Sequence, residues 1–463
     1  MRIWLLAASL AGFCGCVPLA QTNELTCAPT DRGAVANDGA SDQSAIQAAI
    51  DQCAGTNRAV VLGPGTWDTG PLQLRSDLTF RLQEGAVLKL IPDITLYPKD
   101  PDASDTGDGA LRRLAFRGDG VANLVIEGPG KIDGSGPRFW DENLYETGLA
   151  RPTLPRPQPT LLFTNCSNVT VRGLRLENLP GFGISYKACE DGLIEDVIVR
   201  NDVRSPNTDG IQIRDSRRIR ITGVDIETGD DGIVLKSNSS VVEDIIVENS
   251  RIVSDDGAIK FGTGSRYGVK RSTFRNIDIS ESRYGVAIFA IDGGVHEDNV
   301  FENIRIETGG RNARTYPIFV DVDRREADRT WGGVNGLVFR NVEIVSDGAS
   351  LIAGNPKGRI EDVLLENVTV RRATIAADIA DLTSKPRGNK DILAQADSVD
   401  YARVPAELLI AHADGVTLRD IALPPCEEAE PRYGLAVIDV TGLETALDAA
   451  ALPGGDVSST ACS

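Results

Sequence analysis

The sequence predicts an all-β fold in which one chain winds into a solenoid of stacked parallel strands. Three observations lead there. First, one template recurs: NVTVRGLRLEN (168–178), GLIEDVIVRND (192–202), RIRITGVDIET (218–228), VVEDIIVENSRIV (241–253), GVKRSTFRNIDI (268–279) and GVHEDNVFENIRI (294–306), with copies starting 23 to 27 residues apart. A fixed period of that length marks a repeat architecture whose units bury their apolar faces only by stacking. Second, each copy alternates Val, Ile or Leu with polar residues, the period-two pattern of a half-buried strand. Third, Asn201, Asn249, Asn276, Asn303, Asn341 and Asn367 recur at corresponding points. Asn tolerates the left-handed backbone of tight corners, so their expected role is structural.

Taken in order, residues 1–20 read as a secretory signal: Arg2, an apolar run from Ile3 to Phe13, then small residues. Phe13-Cys14-Gly15-Cys16 loosely matches a bacterial lipoprotein box, which would anchor the chain by a lipid on Cys16; the other reading is plain cleavage and a soluble mature chain. Either places the protein outside the cytoplasm, periplasmic, extracellular or held at an outer membrane. Residues 21–463 read as one solenoid domain. Its first element is a helix with Ser41 or Asp42 as N-cap and Ala45, Ile46, Ala49, Ile50 and Cys53 on one apolar face. A solenoid has an open apolar end, and a short helix there covers it. Strands broken by Gly and Pro follow to residue 90. The polar segments 97–115 and 152–158 read as surface loops, expected to wall a cleft. Further copies of the template occur at 336–345, 359–370 and 415–423. Residues 378–405 break the rhythm as an inserted loop, and 431–447 read as a late coil or cap.

The chain has 463 residues, 41% hydrophobic, and a formal net charge of −19. That balance excludes nucleic acid as a natural partner, and a polyanionic ligand would need a local basic groove. Beyond Cys14 and Cys16, six cysteines remain, an even set that permits disulfides in an exported protein. Cys27–Cys53 and Cys426–Cys462 would staple the two ends. Cys166 and Cys189 read equally as buried small apolar residues. No C-x-x-C pair and only two His residues argue against zinc, and no metal or cofactor is expected.

The chemistry concentrates at 205–237. Asn207-Thr208-Asp209-Gly210 and Gly229-Asp230-Asp231-Gly232 are acidic turns, each followed by an apolar alternation. Asp209 and Asp231 are 22 residues apart, about one coil. Stacked strands lie ~4.8 Å apart, so the carboxylates should crowd, and at least one pKa must rise. One protonated acid and one ionised base are what hydrolysis of a glycosidic bond needs. Asp256 sits in a similar turn one coil on. Arg214, Lys236 and Lys260 trail the acidic turns by four or five residues, a ladder of cations that either neutralises the acids or grips a uronate. Tyr284, at the next corner, could stack on a sugar or be an ordinary surface residue. The bland reading is that Asp-Gly is only a corner motif, since Asp191-Gly192 recurs where no chemistry is expected.

The ordered pair NTDG and GDD on this repeat, with GKIDGSG (130–136) and Trp140 ahead of it, resembles glycoside hydrolase family 28, the polygalacturonases. The resemblance covers about residues 31–425. It implies a right-handed parallel β-helix, a solenoid of the pectin-lyase-like kind, and hydrolysis of pectic bonds with inversion. By position it makes Asp230 the general acid and gives Asp209 and Asp231 the attacking water. It also implies a monomer acting on a polysaccharide or oligosaccharide. Two departures stand out. Where the family has a Gly-His-Gly turn, this chain reads Asp255-Asp256-Gly257-Ala258, and where it has Arg-Ile-Lys, this chain reads Ala287-Ile288-Phe289. Lys260 is then a candidate replacement for the lost cation. Two other classes remain: a β-helical uronate lyase or epimerase with calcium on the acidic coils and Lys260 as base, and a non-catalytic glycan-binding solenoid.

Overall fold

The computed structural model describes residues 25–103, 107–140, 155–309, 315–373, 406–425 and 432–451. The signal with Cys14 and Cys16, the pair Cys426 and Cys462, and the insertion 378–405 lie outside them.

The described chain is a right-handed parallel β-helix. Each coil contributes a strand to each of three stacks. One full coil runs Ser167–Arg172, Arg175–Glu177 and Ile184–Lys187, and the next runs Glu190–Glu195, Ile198–Arg200 and Ile211–Arg214. Every strand pairs in parallel with its counterparts one coil before and after. In the third stack Ile184 faces Ile211, Ile211 faces Ile233 and Ile233 faces Ile259. Ladder bonds therefore come from chain 22 to 27 residues away. The inward residues of all three stacks form one continuous core, for example Val171, Leu176, Ile213, Leu235, Phe261 and Phe301. Toward the C-terminal end the strands lengthen and turn through two stacks, as in Gly333–Ser346 and Ile360–Arg372.

The helix Gln43–Cys53 begins after Asp42 and buries the expected residues Ala45, Ile46, Ala49, Ile50 and Cys53. Asp42 occupies the N-cap position, but its carboxylate accepts from Val35 N at 2.9 Å rather than from the helix. Cys27 and Cys53 form the expected disulfide. Cys166 and Cys189 also form one, so they are a covalent link between neighbouring coils and not merely small core residues.

The corner asparagines behave as expected with one exception. Asn249, Asn276, Asn303, Asn341 and Asn367 all have φ between 53° and 55°. From Asn276 onward each side-chain amide donates to the one a coil before it, at 2.9 to 3.2 Å, making an unbroken ladder from Asn249 to Asn367. Asn201 does not join it: it is buried, and its Oδ1 accepts from Leu179 N. The segments 97–115 and 152–158 are not two separate loops. Arg112 and Arg113 pair in parallel with Arg156 and Pro157, a small outer sheet beside the third stack.

Candidate active site

The third stack carries the acids on its outer side. Ile211, Ile213, Ile233 and Leu235 point into the core, so alternation turns Gln212, Arg214, Val234 and Lys236 outward. Just before these strands the chain turns at stacked glycines. Gly183 N donates to Asp209 O at 2.8 Å, Gly210 N to Asp231 O at 2.9 Å, and Gly232 N to Gly257 O at 2.8 Å. A Cβ on Gly210 would lie 2.7 Å from Gly232 O, and one on Gly232 2.7 Å from Ala258 O. Gly210 and Gly232 are required by this close approach of backbones, which stacks Asp231 directly on Asp209; by the register of the next strand Gly257 stands over Asp231 and Asp256 over Asp230.

Oxygens of Asp230, Asp231 and Asp256 lie within 4.8 Å of one another. Asp209 stands one coil below, its Oδ2 accepting from Gln212 Nε2 at 2.7 Å. Asp230 Oδ2 accepts from Asn207 Nδ2 at 3.1 Å, and its Oδ1 from Asp231 N at 2.9 Å. Lys260 closes the cluster: its Nζ is 2.8 Å from Asp231 Oδ1 and 2.9 Å from Asp256 Oδ2. Arg283 is 3.7 Å from the other oxygen of Asp256.

Asp209 and Asp231 are only 2% and 3% exposed, while Asp230 is half-buried. Burial, reinforced by the Asp230 charge, pushes Asp209 up to about 6. Burial also drives Asp231 well above the ordinary carboxylate range; Lys260 opposes this, while Asp230, Asp256 and Asp209 add to it. Burial disfavours the Lys260 ammonium, but Asp231, Asp256 and Asp230 outweigh that and hold it well above the usual lysine value. Four carboxylates against one buried ammonium cannot all be ionised cheaply, so the cluster as a whole retains a proton toward neutral pH. It thus offers a proton donor and a carboxylate base within one patch.

The cation ladder is split. Arg214 and Lys236 are in register, but Lys260 faces Val234, two residues nearer the acids, and Gly262 follows above Lys236. Lys187 extends the register below Arg214. Lys260 is therefore the cation bonded to Asp231 and Asp256, while Lys236 offsets part of the rise of Asp209 without a direct bond, and Arg214 stands to one side. Tyr284 does not offer a face to a sugar. It is 1% exposed, stacked on Tyr316 at 5.4 Å, edge-on to Phe289 and Phe319, and covered by Arg283. Ala287 and Phe289 belong to the same outer apolar cluster. His296 is in the core, with Nδ1 accepting from Val269 N, and Asp292 is tied to Arg325 and Gly264 N.

Sequence reasoning passed over Asn207 and Gln212, both inside the stretch 205–237, which orient Asp230 and Asp209. It also passed over Arg112 and Arg156 on the outer sheet. Arg156 Nη2 donates to Asn207 Oδ1 at 3.0 Å, so this sheet reaches the acids through one side chain. The available signal was a run of arginines in two loops of a strongly acidic chain.

A parallel β-helix with stacked carboxylates on one outer face defines a glycosidase that hydrolyses O-glycosyl bonds. The chain belongs to glycosyl hydrolases family 28, whose family model matches residues 73–386. It is 30% identical to an exopolygalacturonase of Zea mays over 310 residues, 63% of this chain and 68% of that one. It is 23% identical to an endo-polygalacturonase of Pectobacterium carotovorum subsp. carotovorum over 363 residues, 74% of this chain and 87% of that one. The family 28 exopolygalacturonase of Yersinia enterocolitica shares the fold, with TM-score 0.64 and 17% identity over 93% of this chain and 78% of that one.

Proposed function

We propose that the protein is an exported hydrolase of a pectin-like, uronate-containing polysaccharide, acting with inversion and without a metal. Asp230 protonates the leaving oxygen, and Asp209 and Asp231 hold and activate the water. The observation that carries this reading is the cluster of acids with Lys260 inside it: a shared proton and a carboxylate base at one outer surface. The relatives named as polygalacturonases support the substrate class.

Asp230 is the acid because it is the most accessible of the three and is hydrogen-bonded by neutral Asn207 rather than by a cation. Lys260 donates to Asp231 directly and opposes the rise that burial imposes on it. The same contact disfavours a lyase: an ammonium held by two carboxylates, its pKa raised, is a poor base for a sugar proton. The acids Asp230, Asp231 and Asp256 are near enough to share a cation, and Lys260 already supplies one.

The deciding measurement is reducing-sugar release from polygalacturonate by the native chain and by Asp230→Asn, with chelator present and with ultraviolet detection. The expected result is release of saturated products by the native chain, unaffected by chelator, and its near-complete loss in a variant that melts normally. Undiminished release by Asp230→Asn, or unsaturated products that vanish with chelator, would overturn the reading. The anomer first formed, followed by NMR, reports inversion or retention.

A further inference from the structure

The coil beneath the acids carries polar atoms that the described chain leaves unpaired. Phe182 occupies the position directly below Asp209, because Gly183 pairs with the Asp209–Gly210 turn. The guanidinium of Arg112 lies over the Phe182 ring, 5.3 Å from its centre. Arg214 rises from the acids' own coil. Ser185, in register beneath Gln212, is 0% exposed on the same outer face. Arg112 Nε, Arg214 Nε and Ser185 Oγ are all buried and have no hydrogen-bond partner among the described residues.

The two guanidiniums also feel each other's charge. After burial, Arg112 is the strongest influence on Arg214 and acts to weaken its charge, ahead of the carboxylates of Asp215, Asp100 and Asp209. None of those three carboxylates makes an ion pair with Arg214 among the described residues. Asp215 instead accepts from Ser239 N and Ser240 N, and Asp100 from Asp102 N. Two half-buried cations that repel each other, one of them in no ion pair with a carboxylate that acts on it, are costly to hold. The cost is removed when a planar anion arrives, because guanidinium forks match a carboxylate in two hydrogen bonds.

We propose that Arg112, Arg214 and Ser185 form an anion subsite one coil toward the N-terminus from Asp209, which takes the carboxylate of a uronic acid residue adjoining the bond to be cleaved. This rests on the hydrolase reading above and adds where the substrate's charge is held. It also bears on Ala287 and Phe289, which make the outer face on the opposite side of the acids apolar at those positions.

The test uses the full chain carrying Asp230→Asn, so that binding is read without turnover. The probes are trigalacturonate and its fully methyl-esterified form, titrated calorimetrically, with and without a further Arg214→Gln or Arg112→Gln. The subsite predicts tighter binding of the acid than of the ester, and a loss of that preference by about 10- to 100-fold in either variant, the worth of one or two charge-assisted hydrogen bonds. Binding of the ester should stay unchanged. Arg112 rides on the outer sheet rather than on a coil, so Arg112→Gln keeps the test alive should Arg214→Gln misfold. A preference that survives in a folded variant, or an equal loss for both probes, overturns the subsite while leaving the hydrolase reading intact. Failure of the parent to bind either probe overturns the substrate reading and the subsite with it.

Discussion

The third stack has two halves with the same inner face and opposite outer faces. On Ile211–Arg214, Ile233–Lys236 and Gly257–Phe261 the outward residues include Gln212, Arg214, Lys236 and Lys260 beside one apolar Val234, with four acids at the turns. On Tyr284–Ala290 and Tyr316–Val322, the next coils, every residue is buried, and Tyr284, Phe289, Tyr316 and Phe319 pack together on the outside. The backbone register continues unbroken between them. The coil therefore specifies position, and the outward residue alone decides whether a position binds, reacts or packs. The lower half keeps buried charge, which costs stability; the upper half buries aromatic surface, which contributes it.

The sharpest break between the halves comes from Asp209→Asn. Hydrolysis should fall about 10²- to 10⁴-fold, the range for removing a positioned acid or base, with no fall in melting temperature. A matching change in the upper half should do the reverse. Phe319→Ala should cost ~3–5 kcal/mol of stability, measured by denaturant unfolding, with turnover per folded molecule unchanged.

A third expectation is pH-linked. Asp209 is raised from 3.8 to about 6 in the fold. Its protonated form therefore stabilises the native state fully below 3.8, and that contribution is lost as pH rises through about 6. The difference in unfolding free energy between native protein and Asp209→Asn should shift by about 3 kcal/mol across that window in favour of the variant at the upper end. A difference that stays flat with pH would mean that Asp209 is ionised throughout. The smallest effect belongs to neither half. Asn303→Ala removes one rung of the corner ladder and should cost about 1 kcal/mol, with activity untouched.

The two halves were not equally legible in the sequence. In the lower half polar residues alternate with Ile and Leu, so inside and outside could be told apart, and the 22-residue spacing of Asp209 and Asp231 placed them in one column. In YGVAIFA every residue is apolar, so the pattern says that both faces are covered without saying by what. Tyr284 was accordingly expected at the surface and is packed in an aromatic cluster. Register was the other hidden quantity. Counting residues from each acidic turn put Lys260 over Lys236, whereas Gly257–Phe261 aligns it with Val234 and so with the acids. Arg112 and Arg156 escaped notice because a parallel pair between two remote loops leaves no periodicity to read. The Cys166–Cys189 link was open for a like reason: only the stacking of adjacent coils brings the two sulfurs together.

The stacked glycines at Gly183, Gly210 and Gly232 have one more consequence. They let main chain rest directly on main chain, so the interval between Asp209 and Asp231 is a ruler cut in peptide bonds. Rotamer changes in neighbouring side chains cannot stretch it. Any residue larger than hydrogen at those marks would have to lift a whole coil, and the distance between proton donor and water would be miscalibrated along with it.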